Sequence, residues 1–100
     1  LYVEDCADFL VRAIQEPRAE AQIINAGTGR DVSIRELAEL CRSAGNGIEN
    51  VAHDHPQAEI QRLLCDASKA KSLLGWEPRT SLRDGIAKTR EWLQGNRWAW

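Results

Sequence analysis

The stretch from Asp66 to Pro78 limits this chain most. Asp66 stands where a helix N-cap stands, and the run Ala67 to Leu74 behind it reads as a short helix. Gly75 follows as a natural residue for the left-handed end of a helix, and Pro78 prevents any continuation. A helix so closely bounded fixes the direction of everything on either side of it. On its C-terminal side is Trp76. On its N-terminal side lies HPQAEIQRLLC, a polar loop from His55 with Pro56, Glu59 and Arg62, ending in the apolar run Leu63–Leu64–Cys65. A loop that can grip a ligand is thus fixed at one end to a capped helix and a tryptophan.

Three further helices are marked by equally local signals. Glu4 to Gln15 carries Val3, Ala7, Leu10, Val11 and Ile14 at helical spacing, which predicts one buried face. Glu4, Asp5 and Asp8 suit the positive end of its dipole, and Pro17 ends it. Ser33 and Glu36 form an S-x-x-E capping box, with Val32 and Leu37 at the hydrophobic-staple positions. Ile34, Leu37, Ala38 and Cys41 then mark a buried stripe, with Leu40 at its edge, and Gly45–Asn46–Gly47 stops the helix. Ser81, with Asp84 three residues on, opens the last helix, whose face is Leu82, Ile86, Thr89 and Leu93, with Trp92 beside it. Gly85 inside it weakens the helix by about 1 kcal/mol relative to alanine and permits close packing.

Gln22 to Asn25, Ile48 to Ala52 and Leu63 to Cys65 read as short strands, so the expected fold class is α/β: a small mixed lobe of four helices and two or three short strands. The strands are too few for a complete sheet, and the apolar face of the first helix exceeds what such a sheet covers. The chain also opens inside an apolar run, Leu1–Tyr2–Val3. These observations lead us to expect one domain, residues 1–100, belonging to a larger body. Trp98 and Trp100, in a tail without periodicity, would pack on such a partner.

A net charge of −2 gives no basis for nucleic-acid binding, and no apolar run approaches the roughly 18 residues of a bilayer span. With 43% hydrophobic and 28% charged residues, the chain has the means to fold. Cys6, Cys41 and Cys65 are widely spaced and odd in number, which reads as buried reduced thiols in a cytoplasmic protein. His53 and His55 have no cysteine near them, so a metal site is not expected.

Gly27–Thr28–Gly29 has the beginning of a phosphate loop. It lacks the third glycine of G-x-G-x-x-G and the lysine of a P-loop, and a tight turn is the favoured reading. Arg30, at the tip of that turn, can reach an anionic ligand. Glu59 and Arg62 are spaced for a surface ion pair, while Arg62 alone can hold a phosphate through its planar fork. Sequence leaves those two open. Lys69 and Lys71 belong to a solvated helix face, and no serine, cysteine or histidine comes with a nucleophile–base pattern.

Taken together, several stretches resemble the C-terminal portion of the extended short-chain dehydrogenase/reductases that act on nucleotide sugars. Tyr2–Val3–Glu4–Asp5–Cys6–Ala7 resembles that family's Y/H-V-x-D-x-A. Asn25–Ala26–Gly27–Thr28–Gly29 with Ser33–Ile34–Arg35–Glu36–Leu37 resembles its N-x-G-x-G…S-I-x-E-L. Asp66–Ala67–Ser68–Lys69–Ala70, Leu74–Gly75–Trp76–Glu77–Pro78 and Ser81–Leu82–Arg83–Asp84–Gly85–Ile86 resemble its D-x-S-K-A, L-G-W-x-P and S-L-x-E-G-L/I. Each motif is weak alone; together, in this order, they are specific. The run Glu59 to Asp66 is similar to that of nucleotide-sugar 4,6-dehydratases, although 4-epimerases share the lobe.

The resemblance implies a substrate-binding lobe that closes over a nucleotide-diphosphate sugar beside an NAD-binding Rossmann domain, and it allows a homodimer. NAD or NADP would serve the full-length enzyme, in which the sugar is transiently oxidised at C4. The Gly-rich cofactor loop and Tyr-x-x-x-Lys are absent from these residues, so this chain alone is expected neither to bind NAD nor to catalyse. The implied substrate-binding residues are Arg30, His55, Glu59 and Arg62. One departure matters: Asp54 to Glu59 lacks the arginine that members commonly carry there, so His55 substitutes for it or phosphate binding shifts to Arg62. A different class of function remains beside this one, a non-enzymatic module derived from the lobe that binds a protein through its uncovered apolar surface.

Overall fold

The computed structural model describes residues 1–42, 46–52, 57, 60 and 62–96. Among them the regular elements are α1 (Val3–Gln15), a 3-10 turn (Pro17–Ala19), α2 (Ile34–Cys41), α3 (Ser68–Leu74) and α4 (Leu82–Gly95). The expected strands do not form: Gln22–Asn25, Ile48–Ala52 and Leu63–Cys65 are irregular, and the α/β expectation is corrected to four helices among the described residues. A strand exists only where a neighbour satisfies its N–H and C=O groups. Here no such neighbour is paired with any of the three segments, and Ile23, Val51 and Leu63 are largely exposed.

The chain divides into two compact units, Leu1–Arg30 with Cys65–Trp100, and Asp31–Leu64. The first contains the core: Phe9, Ala70, Leu74 and Trp76 are buried, with Ala13, Ala19, Ile24, Ala26, Ala67 and Leu73 packed against them. Trp76 is the largest fully buried side chain. Its ring meets Phe9 edge-on at 5.2 Å between centroids, and its indole N–H donates to the Asp5 carbonyl at 3.2 Å.

The buried face of α1 is therefore not the one that periodicity suggested. Asp5 and Phe9 are buried, whereas Val3 is 69% exposed, Ile14 85%, and Leu10 and Val11 about half. Helix α1 is amphipathic, as its spacing predicts, but its richest apolar stripe faces away from this core. The burial of the thiols is corrected too: Cys41 is exposed, and Cys6 and Cys65 are only partly buried. In α4, Gly85 is buried and Ile86 and Leu93 half-buried, while Leu82 and Thr89 lie outside. A Cβ on Gly85 would stand 3.4 Å from the Tyr2 ring, which is the close packing that a glycine there permits.

Local chemistry sets the ends of α3 as its sequence indicates. The Asp66 carboxylate accepts from the Ser68 N–H at 2.9 Å, but the N-cap residue is Ala67, so Asp66 stands one position before the N-cap it was expected to be and the helix starts one residue later. Gly75 takes the left-handed conformation, φ 60°, and the Trp76 N–H bonds back to the Ala70 carbonyl at 3.3 Å. Two guanidinium groups complete this end: Arg12 donates to the Leu74 and Gly75 carbonyls, and Arg18 to that of Leu73. No helix among the described residues is long and apolar enough to cross a membrane.

Asp5 ties the two motif regions of this unit together. Its carbonyl holds Trp76, and its carboxylate accepts from the Thr80 N–H at 2.9 Å just before α4. Burial by itself pushes this carboxyl up. Hydrogen bonds from Thr80 and Arg79, with the charge of Lys88, outweigh that and hold it below its ordinary 3.8. A carboxyl depressed on folding contributes stability that is fully present above its unfolded value and is lost as pH falls through the lower folded value. Asp5→Asn is expected to cost about 1–2 kcal/mol at pH 7. Below pH 3.8 its disadvantage relative to the wild type should shrink, as measured by urea denaturation at a series of pH values. A constant difference down to pH 2 would show that the charge of Asp5 is not what holds Thr80.

Candidate functional site

Arg30 ends a turn built from Ala26 onward. Gly27 is buried, and a Cβ placed on it would lie 2.7 Å from both Cβ and Sγ of Cys65. Gly29 has φ +67°, open to glycine at no steric cost. The Thr28 hydroxyl donates to the Arg30 carbonyl at 3.2 Å and accepts from the Arg30 N–H at 3.4 Å. The turn reading of Gly27–Thr28–Gly29 thus has a distinct physical reason at each glycine. The backbone of Arg30 is clamped, and its side chain is exposed.

In the Asp31–Leu64 unit, helix α2 is opened by the capping box. The Ser33 hydroxyl accepts from the Glu36 N–H at 3.1 Å, and the Glu36 carboxylate accepts from the Ser33 N–H at 2.9 Å. Leu37, Ala38 and Leu40 are half-buried; Ile34 and Cys41, expected in the stripe, are exposed. Since Ser33 already occupies the Glu36 N–H, this helix start does not offer that donor to an anion.

Arg62 is 68% exposed and its Nε–H donates to the Asp31 carboxylate. That hydrogen bond lowers the Asp31 carboxyl, helped by the Asp31 backbone N–H, and raises the Arg62 guanidinium. The carboxylate holding Arg62 therefore comes from 31 residues upstream in the chain. Glu59 and His55, the other two expected site residues, lie outside the described residues, as do His53, Trp98 and Trp100. Arg30 and Arg62 belong to different units. Lys69 and Lys71 bind Gln22 and Glu77 on an exposed face. Asp31 was not singled out in the sequence: it reads as an ordinary turn residue ahead of the capping box, and nothing local marks a partner so distant.

These features can be set beside known proteins. The model of the family described as GDP-mannose 4,6 dehydratase matches residues 1–89. The chain belongs to this family. It is similar to GDP-L-fucose synthase 1 of Arabidopsis thaliana, 37% identical over 96% of this chain and 29% of the relative. It is also similar to UDP-glucose 4-epimerase of Mycolicibacterium smegmatis, 35% identical over 94% of this chain and 30% of the relative. The X-ray structure of Pal from Bacillus thuringiensis is 56% identical with a TM-score of 0.88, covering 95% of this chain and 30% of that one. The chain thus spans about three-tenths of the length of the relatives it matches. The expected membership among epimerase/dehydratase-type short-chain dehydrogenase/reductases is met.

The glycine turn among the described residues does not fit a dinucleotide cradle. The G-x-G of Gly27–Thr28–Gly29 has its first glycine packed on Cys65, and neither a paired strand before it nor a helix directly after it supplies a cradle. The family motifs in this chain build its frame. Asp5 and Trp76 bind each other, Gly27 receives Cys65, and Gly75 ends α3.

Proposed function

We propose that this chain is the nucleotide-sugar-binding part of an NAD(P)-dependent, cytoplasmic 4,6-dehydratase or 4-epimerase. Arg62 supplies positive charge to the nucleotide diphosphate. The observation that carries the reading is the division of labour within the family match. The motif residues are spent on packing, while Arg62 keeps an exposed guanidinium just beyond the loop from His55 to Glu59, which the resemblance implies faces the nucleotide. Relatives named for GDP- and UDP-sugars support the ligand class. Binding of NAD or NADP, and the oxidation at C4, are assigned to parts of the enzyme outside these residues.

The test is calorimetric titration of the full-length polypeptide with GDP-, UDP- and dTDP-sugars. Arg62→Ala is expected to weaken binding of the preferred sugar nucleotide about tenfold, the loss of one charge-assisted hydrogen bond, with the thermal midpoint unchanged. A protein that binds no sugar nucleotide and no NAD(P) sinks the proposal. A fall in stability matching the fall in affinity gives Arg62 a structural role.

A second reading, a protein-binding module, is favoured by the uncovered stripe of α1, in which Val3 and Ile14 are largely exposed. In the first reading the rest of the enzyme covers that stripe. Self-association of the full-length polypeptide without nucleotide affinity would select the second.

A further inference from the structure

We propose that Asp31 is a positioning residue for the nucleotide diphosphate, holding Arg62 by its Nε edge so that the two terminal amino groups are presented to phosphate. The proposal rests on the functional reading above and extends it to a residue that touches no ligand. Three observations carry it. Asp31 binds Nε, and the Nη groups of Arg62 hydrogen-bond to no other described residue. A guanidinium has donors on two edges; fixing one with a carboxylate leaves the other as a fork matching two phosphate oxygens. The pair is open to solvent, with Asp31 43% and Arg62 68% exposed, so an anion can reach the free edge without first opening the structure.

The pair also joins the two ends of the Asp31–Leu64 unit. The Arg62 side chain has many rotamers, and fixing it in advance removes an ordering cost that binding would otherwise carry. The opposing effect is electrostatic: Asp31, with Glu36 close enough to feel its charge, offsets the positive potential at Arg62. Between exposed groups that repulsion is weakened by water and salt, whereas orientation of the donors is not. Positioning is therefore expected to win.

The experiment measures Kd for GDP and UDP, with guanosine and uridine as phosphate-free controls, on the full-length polypeptide. Asp31→Ala should weaken the tighter-binding nucleoside diphosphate about fivefold to tenfold, and Asp31→Asn, whose amide oxygen still accepts from Nε, should restore it to within about twofold of wild type. Neither variant should change nucleoside binding or the thermal midpoint. In an Arg62→Ala background, Asp31→Ala should have no further effect. Tighter diphosphate binding by Asp31→Ala would make Asp31 a competitor of phosphate and overturn the proposal. Equal behaviour of the Asn and Ala variants, or an undiminished effect without Arg62, would overturn it too. Wild-type protein that binds neither diphosphate overturns the functional reading, and the role of Asp31 falls with it.

Discussion

Trp76→Ala is expected to unfold the unit formed by Leu1–Arg30 and Cys65–Trp100 at room temperature. Among the described residues the buried core of that unit is small, Phe9, Ala70, Leu74 and Trp76, and Trp76 is by far its largest member at 1% exposure. Truncating a buried tryptophan costs about 3–5 kcal/mol, from lost transfer free energy and the cavity left behind. Small domains have only about 5–15 kcal/mol in total, and one with so few buried side chains sits at the low end. The cavity would open between α1 and α3, where Phe9 loses its edge-on partner and the Asp5 carbonyl loses the indole N–H. Trp76→Phe separates these contributions. It keeps an aromatic ring beside Phe9 and removes the N–H, for an expected cost of about 1–2 kcal/mol. Far-UV circular dichroism during urea and thermal denaturation is the measurement, since Trp92, Trp98 and Trp100 would confuse fluorescence. An alanine variant melting within about 2 °C of wild type would show that α1 and α3 are held by something other than this ring.

That dependence on one tryptophan explains what the chain reveals before its structure is known. Helix ends were legible because they are decided within four residues: Ser33 with Glu36, Ser81 with Asp84, and Gly75 before Trp76 all act locally. The buried side of α1 was not legible. The helix has a long aliphatic stripe at Val3, Leu10, Val11 and Ile14, and a second face with Asp5 and Phe9. Periodicity reports that faces exist, not which has a partner within these residues. Phe9 wins because Trp76 is there to meet it. The strand expectations failed for a related reason. An apolar run is a strand only beside another, and pairing is a property of the whole fold that a local window does not contain. At the site, the fork chemistry of Arg62 was readable from its residue type. Its partner Asp31 was not, because an ion pair across 31 residues leaves no local trace.

Gly27→Ala is expected to destabilise the same unit by about 2–3 kcal/mol, the upper part of the range for overpacking a tight interior. The added methyl would lie 2.7 Å from Cβ and Sγ of Cys65, closer than side-chain carbons approach in real proteins. Relief by a rotamer change is not enough, because Cβ of Cys65 is fixed to its backbone. Cys65 must move, and it directly precedes Asp66, whose carboxylate binds the Ser68 N–H at the start of α3. Displacement there reaches the core through Ala67 and Ala70. The double variant Gly27→Ala/Cys65→Gly removes both colliding atoms. It should be more stable than Gly27→Ala alone, even though a new glycine itself costs about 1 kcal/mol. Gly29→Ala is the contrasting case. Nothing lies within 4 Å of its missing Cβ, so its cost of about 1–2 kcal/mol comes from a left-handed backbone and should be indifferent to residue 65. Thermal denaturation of these three variants and of Gly29→Ala/Cys65→Gly distinguishes the two mechanisms: rescue at Gly27 but not at Gly29 means that the first glycine is required for space and the second for conformation. If Cys65→Gly fails to rescue Gly27→Ala, the close approach of Cys65 is not what demands a glycine, and the turn must owe its first glycine to another cause.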